Sequence, residues 1–158
     1  MLDRITAVYF SPTGGTRRAA LLLAGNIART VQEADLCRPD AQVHSFGKDD
    51  VVLIAGPVYG GRLPALMAER LRACQGGGAR VIAAAVYGGR AYEDALVELD
   101  DLLAAQGFRV IASAALLAEH SIVRPLAAGR PDAQDAAQLA DFGARIAAKI
   151  EQGGTDAP

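Results

Sequence analysis

The sequence predicts an α/β chain wound on a parallel sheet, and three observations carry that expectation. Short apolar runs alternate along the chain with segments of helical period. Two of the runs, Val51-Val52-Leu53-Ile54-Ala55 and Arg80 to Tyr87, lack the polar alternation of a half-exposed strand. They read as strands buried on both faces, which a parallel sheet covered by helices requires. The chain has 158 residues, of which 51% are hydrophobic and 22% charged, enough to close one ordinary core and too apolar for a disordered chain.

Taken in order, Ile5 to Phe10 is rich in β-branched and aromatic residues and reads as the first strand. Thr16 to Arg29 follows as a helix, with Leu22, Leu23 and Ile27 near helical spacing. Val31 to Leu36 alternates as an edge strand would, and Gln42 to Phe46 competes with it for that place. The stretch Arg38 to Asp50 is a loop with room for a helical turn. Val51 to Ala55 is the third strand, stopped by Gly56-Pro57. Leu63 to Cys74 is a helix ended by Gln75-Gly76-Gly77-Gly78. Arg80 to Tyr87 is the fourth strand, broken by Gly88-Gly89, and Tyr92 to Gln106 is a helix capped by Gly107. Phe108 to Leu117 is the fifth strand, and Pro131 to Glu151 the last helix, with Pro131 near its start and Gly153 beyond its end. Residues 1–152 are expected to form a single domain, with a frayed tail over 153–158.

Composition excludes several classes. A net charge of −2 announces no nucleic-acid partner, since such proteins carry a basic excess. The two cysteines, Cys37 and Cys74, have no C-x-x-C spacing, so neither an iron–sulfur nor a zinc site is expected, and they read as reduced thiols. No signal peptide opens the chain, and the apolar run Ala19 to Ala24 is too short to span a bilayer. The expectation is a soluble cytoplasmic protein, a monomer or weak dimer.

In a doubly wound sheet, ligands sit beyond the carboxyl ends of the strands. The loops after the first, third and fourth strands are therefore the informative ones. The first is Ser11-Pro12-Thr13-Gly14-Gly15-Thr16, with three hydroxyls and two glycines in six residues. Its glycines let backbone N–H groups face a ligand, and the following helix adds free donors and the positive end of its dipole. Such a donor set suits a phosphate monoester, held by dipoles because the loop has no lysine. Arg17 and Arg18 lie just beyond. The plainer reading is a capped helix start with Thr13 or Thr16 as N-cap. The third-strand loop is Gly56-Pro57-Val58-Tyr59-Gly60-Gly61-Arg62-Leu63-Pro64, and the fourth is Tyr87-Gly88-Gly89-Arg90-Ala91-Tyr92. Both run aromatic, two glycines, arginine, and three of the four tyrosines stand there. A flat aromatic ligand stacked between tyrosines accounts for that placement. The plainer alternative has Tyr59 and Tyr87 capping the core and Arg62 and Arg90 in solvent.

These loops resemble a family. Ser11-Pro12-Thr13-Gly14-Gly15-Thr16 is similar to the S/T-x-T-G-x-T phosphate loop of flavodoxins. The other two resemble still more the flavodoxin-type module that, in longer EFR-like chains, is fused to a bacterial-type two-cluster ferredoxin. The resemblance runs from Ile5 to about Ile122. It implies a flavodoxin-like, doubly wound three-layer fold, with a five-stranded parallel sheet in the order 2-1-3-4-5, that binds flavin mononucleotide (FMN). It further implies an electron carrier between redox proteins, a ferredoxin-type protein or a reductase. By position, Ser11, Thr13, Gly14, Gly15 and Thr16 would hold the phosphate. Val58, Tyr59 and Gly60 would lie against one face of the ring system, with Pro57, Gly61 and Arg62 of the same loop among the cofactor-binding residues. Tyr87, Gly88, Gly89 and Arg90 would meet its pyrimidine edge, and Tyr92 would stack on its outer face. The chain departs from the family in lacking the C-x-x-C-x-x-C-x-x-x-C ferredoxin run, in being nearly neutral, and in having Gly89-Arg90 where an acidic residue is common. An arginine near the ring is expected to raise the flavin potential.

Other classes fit less well. A phosphorelay receiver needs acidic residues where Ser11-Pro12 and Gly56-Pro57 stand, and a low-molecular-weight phosphatase needs a cysteine in the first loop. G-x-x-x-x-G-K-[ST], G-x-G-x-x-G and G-x-S-x-G are all absent. The remaining alternatives are an FMN-dependent reductase of quinones or small acceptors, and a flavin-fold interaction module with weak or no flavin binding. Glu119, His120 and Ser121, after the fifth strand, are read either as lining the same pocket or as ordinary polar loop groups. His44 is expected at the surface, Asp49-Asp50 at the opposite edge of the sheet, and Asp132, Asp135, Asp141, Arg145 and Lys149 on a solvated helix face.

Overall fold

Five parallel strands lie in the order β2-β1-β3-β4-β5, in a computed structural model that describes residues 1–12, 14–38, 44–59, 61–87, 94–117 and 133–152. The elements are β1 (Leu2–Tyr9), α1 (Gly15–Gly25), β2 (Ala28–Asp35), β3 (Val51–Pro57), α2 (Ala65–Arg72), β4 (Arg80–Tyr87), α3 (Ala95–Ala105), β5 (Arg109–Leu117) and α4 (Ala133–Glu151). The order, the sheet and its parallel sense match the expected doubly wound α/β fold.

The two faces of the sheet follow from the period-2 alternation of each strand. Ile5, Ala7, Leu53, Ala55, Ile82, Ala84 and Ile111 pack with α1 and α4 on one face. Val8, Val52, Ile54, Val81 and Ala83 pack with α2 and α3 on the other. Every residue of β3 is buried, which explains why its sequence shows no polar face. Gly56 lets α2 approach this strand: a Cβ there would overlap the thioether of Met67, itself fully buried.

Several expectations are revised. β3 is not stopped by Gly56-Pro57 but runs through both, paired with Ala85 and Val86 of β4. The first helix stops at Gly25, well before Arg29, and β2 begins at Ala28 rather than Val31. Asn26 ends the helix: its N–H donates to the Leu23 carbonyl at 3.0 Å and its side-chain amide to the Leu22 carbonyl at 2.7 Å. Buried Ile27 then starts the return, its carbonyl accepting the Leu2 N–H at 2.8 Å. Arg29 and Thr30 hid the start of the strand because both are exposed and polar. The competing strand over 42–46 reduces, within the described residues, to one bridge between Ser45 and Gln75. Lys149 is not merely solvated, because its ammonium donates to the Ile111 carbonyl at 2.7 Å and ties α4 to β5. Asp141 and Arg145 do form an exposed i,i+4 pair at 2.9 Å.

Between β2 and β3 no helix occurs among the described residues. Arg4 and Thr6 of β1 share the α2/α3 face with Thr30 and Gln32 of β2, paired Arg4↔Thr30 and Thr6↔Gln32. These polar residues line a cleft of about 820 Å³ with Ser45 and Arg80. This corner of the sheet therefore meets water with polar side chains where the rest is covered by helices. No described helix is long and apolar enough to cross a membrane.

Candidate functional site

The carboxyl ends of β1, β3 and β4, from which the three glycine-rich loops leave, lie along one edge of the sheet. The register Tyr9↔Ala55 and Pro57↔Val86 sets the strand ends side by side. The Phe10 N–H donates to the Ala55 carbonyl at 3.1 Å, and the Val58 N–H to the Val86 carbonyl at 3.0 Å, so pairing continues into the loops.

The first loop is built around Gly14, which is the N-cap of α1 with φ 94° and no side-chain cap. Thr16 does not take that place, and Thr13 lies outside the described residues. Ser11 acts instead, its Oγ accepting the Arg17 N–H at 3.0 Å in the first turn of the helix. The Arg18 N–H donates to the Gly14 carbonyl at 3.0 Å. The N–H groups of Gly15 and Thr16, too early in the helix for intrahelical bonds, find no acceptor among the described residues. A Cβ on Gly14 would meet nothing within 4 Å, so the loop is open where a ligand would approach. Open space, two free N–H donors and a helix N-terminus fit a phosphate.

Tyr9 and Glu33, unassigned in the sequence, flank this loop. The Tyr9 hydroxyl donates to Glu33 Oε1 at 3.0 Å, and Arg17 Nε contacts the same oxygen at 2.9 Å and the Tyr9 oxygen at 3.2 Å. Burial is the main cause that pushes the Tyr9 phenol above its ordinary range. Arg17 thus turns toward β2.

In the second loop, Tyr59 and Arg62 close a tight turn: the Tyr59 N–H donates to the Arg62 carbonyl at 2.8 Å and the Arg62 N–H to the Tyr59 carbonyl at 3.0 Å. Gly61 holds φ 78° in that turn. Val58 and Tyr59 are half-buried. The Arg62 guanidinium is exposed and bound to Glu98 of α3 at 2.7 Å. Glu98 also accepts the Leu63 N–H at 2.9 Å, and Arg62 first, then this N–H, hold its carboxyl below the usual range. The expected influence of Arg62 on a ring is therefore offset by its own counter-ion. Pro57 is buried at the end of β3, and Tyr87 is half-buried at the end of β4. Gly60, Gly88, Gly89, Arg90 and Tyr92 fall outside the described residues, as do Glu119, His120 and Ser121.

The other singled-out groups lie elsewhere. Asp50, at the opposite edge, caps the Gly47 N–H at 2.8 Å. His44 is half-buried, with its ring 6.3 Å from that of Phe46. Cys37 and Cys74 are free thiols that burial, above all, pushes up and keeps protonated. Among the described residues no group of His, Cys, Asp or Glu could hold a metal ion.

No protein-family model and no curated protein sequence matches the chain. Solved structures do. A flavodoxin, Flavodoxin 2 from Bacillus cereus, superposes with a TM-score of 0.64 at 16% identity, over 93% of this chain and 99% of that one. A short-chain flavodoxin associated with a PDU bacterial microcompartment gives 0.62 at 18% identity, with 93% and 99% coverage. A flavodoxin, WrbA-like protein from Agrobacterium tumefaciens gives 0.60 at 14% identity, with 95% and 98% coverage. At such identities the likeness speaks to architecture, and on it this chain has the flavodoxin-like α/β fold.

Proposed function

We propose that the chain binds FMN at the carboxyl edge of its sheet and carries electrons between redox proteins. The observation that carries this reading is the open, positive-φ Gly14 with the N–H groups of Gly15 and Thr16, unmatched among the described residues, at the start of α1. Ser11, Thr13, Gly14, Gly15 and Thr16 hold the phosphate. Val58, Tyr59 and Gly60 lie against one face of the ring, Tyr92 stacks on the outer face, and Tyr87, Gly88 and Gly89 meet the pyrimidine edge, with Pro57, Gly61, Arg62 and Arg90 beside them. Bound FMN supplies the electron chemistry, which side chains alone do not. The chain contributes backbone donors, apolar cover and local charge.

Titration of apoprotein with FMN, read as quenching of flavin fluorescence, tests the reading. Saturable quenching at micromolar protein is expected, with riboflavin binding more weakly for want of the phosphate. A second arm is Gly14→Ala. Keeping φ 94° with a Cβ present is strained by about 1–2 kcal/mol, so relaxation of the loop should weaken FMN about tenfold. Absence of quenching by the wild type refutes FMN binding. If FMN binds but no electrons pass to or from ferredoxin-type or reductase partners, the carrier role fails alone.

A further inference from the structure

Arg17 is the first cation of α1, and its side chain is spent on β2. Its Nε lies 2.9 Å from Glu33 Oε1 and 3.2 Å from the Tyr9 hydroxyl, which itself donates to Glu33 at 3.0 Å. Tyr9 is 4% exposed, so one member of the cluster is anchored in the core. The main chain of the same residue is fixed as well, its N–H bound to Ser11 Oγ at 3.0 Å. Arg17 therefore connects the phosphate-type loop, the first helical turn and β2.

The charge arithmetic is unusual. Glu33 puts a carboxylate within one arginine side chain of a loop whose N–H donors, unmatched among the described residues, would face the ligand's phosphate. Left unpaired, it would repel a phosphate monoester, which carries a charge of about −1.5 to −2 near neutral pH. We propose that Arg17 is a positioning residue for the phosphate end of the ligand: it cancels the charge of Glu33, without itself gripping the phosphate. The inference rests on the FMN reading above and adds to it the device that sets discrimination between phosphorylated and unphosphorylated flavin.

Four proteins test it: wild type, Arg17→Gln, Glu33→Gln and the double variant, each titrated with FMN and with riboflavin by fluorescence quenching. Arg17→Gln should weaken FMN about tenfold, the effect of one uncompensated charge at a partly solvated site. Riboflavin should change less than about twofold, because it has no charge to repel. Glu33→Gln should bind FMN as well as wild type or better. The double variant should return to within about threefold of wild type, since both charges are gone. Arg17→Lys, which keeps the charge, should lose less than Arg17→Gln. Thermal melts of all variants report folding, which an exposed pair hardly governs.

Equal losses of FMN and riboflavin in Arg17→Gln would assign Arg17 a purely structural part and overturn the inference. A double variant as weak as Arg17→Gln would mean that Arg17 grips the phosphate directly, which also overturns it. An Arg17→Gln protein that binds FMN like wild type does the same. Failure of the wild type to bind FMN would remove both this inference and the reading beneath it.

Discussion

Replacing Gly56 with alanine tests how tightly α2 is drawn onto the sheet. The added Cβ would overlap the sulfur and terminal carbon of Met67, with a Leu63 methyl carbon 3.5 Å away. Met67 is fully buried, so its thioether must shift among packed neighbours to make room. Overpacking of this kind costs about 1–3 kcal/mol. For a chain of this size, each kcal/mol lowers the melting temperature by about 2–4 °C. Chemical and thermal unfolding should register that loss for Gly56→Ala. Met67→Ala alone removes a buried side chain and should cost about 2–5 kcal/mol. Combined, the two changes should cost at least about 1 kcal/mol less than their sum, because alanine at 67 vacates the volume the new Cβ needs. If the costs add within about 0.5 kcal/mol, the two groups do not meet and the account of Gly56 is wrong.

Two further outcomes follow from charge. Burial, only partly offset by the Ser113 hydroxyl that bonds both carboxylate oxygens at 3.0 Å, raises the carboxyl of Asp100 on α3. A raised folded pKa means that the folded state holds this proton more tightly. The benefit is full below the unfolded value of about 3.9 and is lost as pH rises through the folded one. Asp100→Asn should therefore gain stability relative to wild type between acid and neutral pH, and urea melts at both ends of that range would refute this if the difference stayed constant. For the flavin potential, Arg62→Ala should lower it because Glu98 is left without its counter-ion, whereas removing both charges with Arg62→Ala and Glu98→Gln should change it little. Arg90→Ala should lower it by roughly 50–100 mV, the scale of one nearby charge at intermediate dielectric; redox titration of the FMN-loaded variants decides, and an unchanged Arg90→Ala potential rules out a role for that residue.

Much of the architecture was legible because burial on both faces leaves a plain mark. β3 and β4 are apolar at consecutive positions, although β3 runs on through Gly56 and Pro57, the pair that reads in sequence as its stop. β2 was harder to bound, since most of its residues are exposed or half-exposed and its first polar ones continue the helix pattern before them. The phosphate-type loop was visible in its glycines and hydroxyls, but not which hydroxyl would bond the helix; that depends on Gly14 turning to positive φ, which puts Ser11 opposite the Arg17 N–H. The partners of Arg17 and Arg62 carried no local signal. Glu33 is 16 residues and Glu98 36 residues further along, and only the packed sheet and helices bring them near.

The polar corner beside β2 bears on how the molecule breathes. This strand is held by β1 on one side and by α1 on one face, while its outer backbone edge and much of its other face meet solvent. Its amide protons should be among the first in the sheet to exchange with deuterium, long before those of β3 and β4. Each such excursion would carry Glu33 away from Arg17, so fluctuation at a distant-looking margin would be felt at the mouth of the cradle.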